Sequence, residues 1–201
     1  EVKLVNSENE NQLLKAQLNP HFLYNTLNNI DALVWLDQEA ASKAVTSLSD
    51  LMRYLTYSSK QKKISIKEEI VHLKQLVDLQ KLRLSNPKAL IFEPNIQGSE
   101  DLLISPLMMI PLVENCFKHC GEINEDNAII IQLSVNDGVL EFKTDNNVGS
   151  PDNDNRIDDK KKGGIGLVVL RRRLSLLYPN KFTLLNESKD GRYVTILRIR
   201  L

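Results

Sequence analysis

The stretch LNPHFLYNTLNNI, residues 18–30, places a proline and then a histidine inside a sequence that otherwise has the composition of a helix. Proline in a helix interior removes a backbone hydrogen bond and clashes with the preceding turn, at a cost of about 3 kcal/mol. Residues 4 to about 36 contain no glycine and only this proline, so they predict one long helix that bends at Pro20. A bend at this point changes which helix face is buried, and it therefore affects whether the side chain of His21 is accessible.

The segment after Pro20 separates by chemistry when it is placed on an ideal helix at about 100° per residue. Four apolar residues fall together on one side: Leu23, Leu27, Ile30 and Val34. His21, Asn25 and Asn28 fall on the opposite side. We therefore expect an accessible imidazole, with Asn25 orienting one ring nitrogen. An imidazole with an ordinary pKa of about 6.5 is largely neutral at physiological pH and can act as a nucleophile.

Two more helices are predicted before the pattern changes. Residues 39–60 have helical periodicity, and a short connection at residues 37–38 makes the first two helices a hairpin. Ser65 is followed three residues later by Glu68, which is a capping-box signature. This signature predicts a third helix that runs to Asn86 and stops at the following proline.

Short β-branched or alternating runs, interleaved with two helical segments, occupy the rest of the chain. They predict an α/β layer in which helices cover one face of a sheet. The runs are ALIFEP, IIIQLSV, LEFKTD, FTLLNE and YVTILRIRL, and the helical segments are SPLMMIPLVENCFKHC and GIGLVVLRRRLSLLY. Asp-Gly pairs at residues 137–138 and 190–191 predict tight hairpins. The polar stretch of residues 146–164 predicts a disordered segment or a functional lid.

Composition restricts the class of partner and compartment. The chain has 201 residues and a formal net charge of zero, which argues against binding to nucleic acid. Two cysteines are too few for a disulfide framework and indicate a reducing, cytoplasmic environment. No apolar run approaches the roughly 18 residues of a membrane span. Because the sequence starts at Glu1 in a stretch that already looks helical, we expect a fragment of a longer protein whose membrane region precedes it.

Phosphate-binding chemistry is suggested by two stretches. In IPLVENCFKHC, residues 110–120, Asn115, Lys118 and His119 are three and four residues apart and project together from a helix. An amide oxygen suits Mg²⁺, and a lysine suits phosphate oxygens. GGIGL, residues 163–167, opens a helix whose glycines let backbone N–H groups approach an anion.

Taken together, these stretches resemble the LytS/YehU-type sensor histidine kinases over essentially the whole chain. The matching stretches are QLNPHFLYNTLN as the phosphoacceptor box, RYL at residues 53–55, SIKEEI, IPLVENCFKHC as the N box, DNNVG at residues 145–149 as the G1 box, GGIGL as the G2 box, and RRRLSLLYP. The resemblance implies an α+β fold. A helical hairpin that forms a four-helix bundle in a dimer (residues 1–62) is followed by a connecting helix (63–87) and a Bergerat-type (GHKL) ATP-binding α/β sandwich (88–201).

The resemblance also implies an ATP- and Mg²⁺-dependent protein-histidine kinase, with roles for particular residues. His21 would be the phosphoacceptor and Asn115 the Mg²⁺ ligand, with Lys118 and His119 beside the phosphates. The remaining implied roles are Asp145 accepting a hydrogen bond from the adenine amino group and Gly164 and Gly166 lining the lid hinge. Lys160–Lys162 would either reach the phosphates or be solvated. A homodimer is implied, as is a response-regulator partner, commonly of the LytTR type, and a full-length parent in the bacterial inner membrane.

Three residues depart from the family pattern. Asn147 stands where the first glycine of the G1 box is usual, and Cys120 where the N box usually has glycine. Phe22 follows the histidine where many kinases have an acidic base, so the base is not assigned. Glu114 is one candidate for it, and packing or capping is the alternative role for that residue.

Other functions were weighed against kinase activity. A non-catalytic, nucleotide-gated dimerisation module is the main alternative, because the altered G1 box bears on turnover. Cys116, His119 and Cys120 lack the fourth ligand of a structural zinc site. A helix-turn-helix DNA binder is disfavoured because the hairpin has no basic recognition face.

Overall fold

A computed structural model describes residues 20–57, 61–148 and 164–201, with the exception of the side chains of residues 20, 21, 164 and 165. The predicted helix before Pro20, most of the predicted lid and Lys160–Lys162 lie outside the described residues. Among the helices of the described part, none has both the length and the apolar character needed to cross a membrane.

Two helices form the predicted hairpin: α1 comprises Pro20–Leu36 and α2 comprises Gln38–Tyr57. Asp37 connects them. Its backbone amide donates to the carbonyl of Leu33 at 2.7 Å, and its carboxylate accepts from the amide of Ala40 at 2.9 Å. Asp37 therefore ends one helix and caps the next, which confirms the predicted position of the connection.

Only part of the apolar stripe of α1 is buried within the chain. Ile30 is buried together with Phe22 and Thr26, whereas Leu27 and Val34 are 53% and 44% exposed. The stripe is therefore partly uncovered in the single chain. The physical reason is that α2 covers α1 on one side only, which leaves a second apolar side uncovered.

The third helix, α3, comprises Ile66–Lys81. The hydroxyl of Ser65 accepts a hydrogen bond from the amide of Glu68 at 3.1 Å, which confirms the predicted N-cap. The helix ends well before Asn86, so its predicted C-terminal bound was wrong. Asn86 instead donates its side-chain amide to the carbonyl of Asn124 at 2.9 Å, and this contact with a distant loop replaces the last helical turn.

A five-stranded sheet has the strand order β2-β4-β5-β7-β6. Its strands, numbered in chain order, are β2 (Leu90–Asn95), β4 (Ile129–Asn136), β5 (Val139–Asn147), β6 (Phe182–Lys189) and β7 (Arg192–Arg200). β2 and β4 are parallel, and the other neighbours are antiparallel. Both Asp-Gly hairpins are confirmed, because Asp137 and Gly138 have φ of 51° and 71°, and Asp190 and Gly191 have φ of 51° and 73°.

Helices α4 (Ile110–His119) and α5 (Gly164–Leu177) pack on one face of this sheet. Alternate residues of the central strands are buried on that face, among them Ile129, Ile131, Leu133, Leu140, Phe142, Leu197 and Ile199. The resulting core continues without a break into α3 and the hairpin. This arrangement confirms the predicted α+β fold, and the three domain boundaries stay a prediction.

The loop regions differ from the sequence prediction in two ways. The helix predicted for residues 105–120 begins only at Ile110, so the prediction was wrong for residues 105–109, where Leu107 has a positive φ of 63°. A separate antiparallel pair is formed by β1 (Ile64–Ser65) and β3 (Leu103–Ile104). Strands of two residues have no detectable period, so a sequence pattern does not reveal them.

Candidate functional site

Helix α4 carries three of the predicted site residues along one side. Asn115 is half-buried, and Lys118 and His119 are exposed at the end of the helix. Leu112 and Cys116, which adjoin Asn115 and His119 on the helix surface, are buried in the core. An amide beside two basic groups at the edge of a buried helix is an arrangement that can bind a metal ion and phosphate together.

Strand β5 ends beneath α4, and its alternation decides which side chains face that helix. Leu140, Phe142, Thr144 and Asn146 are buried on the helix-covered face, and the residues between them are half-buried on the other face. Asn146 donates its side-chain amide to the carbonyl of His119 at 3.2 Å, which fixes it under the end of α4.

Asp145 lies on the face of the sheet away from the helices. Its carboxylate accepts a hydrogen bond from Nε of Arg192 at 2.6 Å and has Nζ of Lys143 at 3.8 Å. A carboxylate paired there is turned away from any ligand between α4 and the sheet. The predicted contact of Asp145 with adenine therefore needs correction, because a strand directs consecutive side chains to opposite faces.

Two buried polar atoms on the helix-covered face are without a hydrogen-bond partner among the described residues: Oδ1 of Asn146 and Oγ1 of Thr195. Each residue is 1% exposed. Thr195 on β7 pairs directly with Thr144, one step along the same face from Asn146. Buried polar groups are nearly always hydrogen-bonded, so two unpaired acceptors in one apolar face indicate the binding position of a ligand with donor groups.

Sequence reasoning missed Asn146 and Thr195. The signal that identifies Asn146 was present, since alternation from Leu140 and Phe142 leads to Asn146 on the buried face. The prediction followed the family motif, which assigns the adenine contact to Asp145, rather than the alternation of the strand. Alternation from Leu197 and Ile199 likewise places Thr195 on the buried face, but threonine is common in strands for reasons of packing alone, so its residue type does not indicate a ligand.

Asn147, which replaces the usual glycine, is also turned away from α4. Its Oδ1 accepts from Nη1 of Arg192 at 2.6 Å, and its Nδ2 donates to Glu125 at 3.0 Å. The backbone of Asn147 pairs as an ordinary strand residue. This departure from the family pattern thus adds no side chain to the helix-covered face.

Gly164 and Gly166 of the GGIGL stretch lie in the first turn of α5, which begins at Gly164. A Cβ added to Gly166 would meet no described atom within 4 Å. Gly166 has no positive φ, and glycine inside a helix costs about 1 kcal/mol relative to alanine. Neither the backbone nor packing among the described residues requires glycine here, which favours a role in approach to a ligand.

Glu114, next to Asn115 on α4, is half-buried. Burial raises the pKa of its carboxyl to about 7, so the group is partly protonated at neutral pH. Such a carboxyl can take up a proton at that pH, but the same burial is also compatible with a packing role.

His21 belongs to α1, but its side chain lies outside what the structure describes. Asn25 is half-buried and Asn28 is exposed, one and two turns further along the helix. The residues on α4, β5 and β7 thus form one group, and the predicted phosphoacceptor belongs to a different element. Within the described ranges, no group of three or more His, Cys, Asp or Glu side chains is placed to hold a metal ion.

Known proteins are similar to this chain along most of its length. A family model described as histidine kinase matches residues 9–88. The chain is 32% identical over 190 residues to the sensor protein LytS of Streptococcus mutans, a match that covers 90% of this chain and 32% of that protein. It is 33% identical over 202 residues to the sensor histidine kinase YesM of Bacillus subtilis, with coverage of 98% and 34%. The chain therefore spans about one third of the length of these relatives.

A solved structure titled as a bacterial phosphotransferase has a similar fold. The TM-score is 0.52 at 9% sequence identity, and the match covers 94% of this chain and 95% of that chain. At this identity the likeness bears on the fold alone, and it extends from the hairpin through the sheet.

Proposed function

We propose, from the premise that this chain belongs to the LytS-type sensor histidine kinases, that it is the ATP-dependent kinase core of such a protein. The observation that carries the proposal is the pair of unpaired acceptors, Asn146 Oδ1 and Thr195 Oγ1, on the helix-covered face beneath α4. The adenine amino group supplies the donor hydrogens that these acceptors lack. Asn146 and Thr195, rather than Asp145, are therefore the proposed adenine-binding residues.

The phosphate end of the nucleotide is assigned to α4 and the start of α5. Lys118 and His119 would neutralise phosphate oxygens, and Gly164 and Gly166 would let backbone N–H groups of α5 approach them. Asn115 would hold Mg²⁺ through its amide oxygen, and the ion would supply positive charge beside the phosphates. The half-buried position of Asn115 beside exposed Lys118 and His119 supports this division of roles.

His21 is the proposed phosphoacceptor. A bond forms between an imidazole nitrogen and the γ-phosphorus, the bond from that phosphorus to the β,γ-bridging oxygen breaks, and ADP leaves. The imidazole N–H proton is released in the same sequence of steps, and Asn25 would orient the ring before attack. The phosphoryl group would then pass to an aspartate of a response regulator, for which a LytTR-type protein is the proposed class.

A homodimer is part of the proposal. Leu27 and Val34 are exposed on α1 and leave an apolar side of the hairpin uncovered in the single chain. Two such hairpins can bury these sides against each other as a four-helix bundle. The membrane anchor of the parent protein would then belong to sequence outside this chain.

Incubation with labelled ATP and Mg²⁺ tests the proposal. We expect label that is stable to alkali and labile to acid, and that is absent in His21→Gln. That variant should bind ATP with unchanged affinity, whereas Asn146→Leu should lose both binding and label. Wild-type protein that binds ATP and remains unlabelled would contradict kinase activity and favour a nucleotide-gated dimerisation module.

A further inference from the structure

A buried polar contact joins the hairpin to the connecting helix. The hydroxyl of Tyr54, on α2, donates a hydrogen bond to Oε2 of Glu69, on α3. Tyr54 is 3% exposed and Glu69 is 1% exposed. The ring of Tyr54 also stacks on His72, with 3.8 Å between ring centroids and 14° between planes. Tyr54 therefore faces α3.

The same carboxylate oxygen of Glu69 holds the loop that leads into α4. The backbone amide of Leu107 donates to Oε2 of Glu69 at 3.1 Å. Leu107 has a φ of 63°, a left-handed conformation that costs a leucine about 1–2 kcal/mol. On the other side of the loop, Nη2 of Arg173, from α5, donates to the carbonyl of Pro106 at 2.9 Å.

Retention of a carboxylate at this position is costly. Burial raises the pKa of Glu69, and the hydrogen bonds from Tyr54 and Leu107 and the charge of Arg173 oppose that increase only in part. Apolar side chains of similar size would fill the same space without desolvation, and such replacements are often neutral or stabilising. Because hydrogen bonds are directional, those of Glu69 restrict the orientation of α2 relative to the loop before α4. Apolar packing alone does not impose this restriction.

We propose that Glu69 is a positioning residue for phosphoryl transfer, acting through Tyr54 and Leu107. It sets the orientation of the hairpin, which carries His21, relative to α4, which carries Asn115. The inference rests on the proposed kinase function and adds to it the element that aligns acceptor and donor. Because Glu69 is not one of the proposed nucleotide-binding residues, its removal should slow transfer without weakening nucleotide binding.

A second buried tyrosine provides a matched control. Tyr178, at the end of α5, is also 3% exposed, and its hydroxyl accepts from the amide of Ser105 at 2.7 Å and from Nζ of Lys63 at 2.9 Å. Tyr54→Phe and Tyr178→Phe therefore each remove one buried hydroxyl group. The first hydroxyl bonds to Glu69, and the second bonds to Ser105 and Lys63. Only Tyr54 belongs to the hairpin.

The test compares these two variants in three measurements: melting temperature, ATP dissociation constant, and rate of labelling at saturating ATP. We expect similar decreases in melting temperature and ATP affinities within twofold of wild type for both. Tyr54→Phe should slow labelling at least fivefold, and Tyr178→Phe should stay within twofold of wild type. Equal slowing by both variants, or none by Tyr54→Phe, would overturn the positioning role.

Substitutions of Glu69 itself make the test independent of tyrosine. Glu69→Gln keeps an acceptor oxygen for Tyr54 and Leu107, so we expect labelling within threefold of the wild-type rate, whereas Glu69→Leu should slow it at least tenfold with ATP affinity retained. If the two variants label equally fast, the hydrogen bonds do not position the hairpin. Wild-type protein without label contradicts the proposed kinase function, whereas labelled wild type with unchanged variants contradicts the positioning role alone.

Discussion

Replacement of Thr195 by valine should raise the stability of the chain and weaken its binding to nucleotide. Thr195 is 1% exposed, and its hydroxyl oxygen has no hydrogen-bond partner among the described residues. Valine has nearly the same shape as threonine, so the substitution removes the hydroxyl and leaves the packing in place. Opposite signs for stability and binding distinguish a ligand-binding acceptor from an ordinary structural threonine.

The expected changes in stability and in nucleotide affinity both follow from the absence of a hydrogen bond to the Thr195 hydroxyl among the described residues. A buried hydroxyl without a hydrogen bond costs about 1–3 kcal/mol in proteins. In a chain of this size, 1 kcal/mol corresponds to about 2–4 °C, so a gain of about 1–3 kcal/mol raises the melting temperature by about 2–12 °C. Loss of a neutral hydrogen bond to the nucleotide costs about 0.5–1.5 kcal/mol, which weakens binding by about 2- to 10-fold.

Thermal unfolding without nucleotide and calorimetric titration with ATP and Mg²⁺ measure the two effects. Thr26→Val is the matched control, because Thr26 is also 1% exposed but its hydroxyl donates to the carbonyl of Phe22 at 2.9 Å. We expect the control to gain no stability and to bind ATP normally. A lower melting temperature for Thr195→Val would show that its hydroxyl is already bonded, and an unchanged ATP affinity would remove Thr195 from the site.

Three further predictions use single substitutions. The pKa of the Glu114 carboxyl is raised from 4.5 to about 7, so the folded chain binds this proton more tightly than the unfolded chain does. The resulting stabilisation is complete below pH 4.5 and is lost as the pH rises through 7. The melting temperature of Glu114→Gln should therefore increase relative to that of the wild type between pH 5 and pH 8, and a constant difference would argue against the shift. Asp145→Asn should lower stability by about 1–2 kcal/mol through its contact with Arg192 and leave the ATP dissociation constant within twofold, so that lost ATP binding in calorimetry would restore Asp145 to the site. Leu27→Asp should convert a dimer to a monomer in light scattering at unchanged helicity, and a monomeric wild type would contradict the hairpin dimer.

Local chemistry was sufficient to predict several elements. The cap at Ser65 and the turns at the two Asp-Gly pairs depend on neighbouring residues, and each has the predicted geometry. Residue types were less informative about the end of a helix whose next residues contact a part of the chain that is distant in sequence. α3 ends at Lys81, and Asn86 beyond it donates a hydrogen bond to Asn124, a residue that is remote in sequence and cannot be identified from helical periodicity.

The helices and the strand that were predicted to carry the site are present in the structure, whereas the proposed adenine-binding side chain differs from the predicted one. The order of α4, β5 and α5 follows from hydrophobic pattern and glycine position. The choice between Asp145 and Asn146 depends instead on strand register, and a shift by one residue exchanges the two faces. The contact between Tyr54 and Glu69 was inaccessible for another reason, since each residue fits a helical pattern and their pairing requires the angle between α2 and α3.

Helix α4 is held near both ends by buried polar groups, and this arrangement bears on how nucleotide and hairpin are connected. Asn146 donates to the carbonyl of His119 at the C-terminal end, and Glu69 accepts from Leu107 just before the N-terminal end. The unpaired Oδ1 of Asn146 belongs to the same amide group that holds His119. In the proposed function, a nucleotide that bonds to this Oδ1 also acts on the hydrogen bond that holds the end of α4. We therefore propose that nucleotide binding influences hairpin orientation through α4 and the loop held by Glu69.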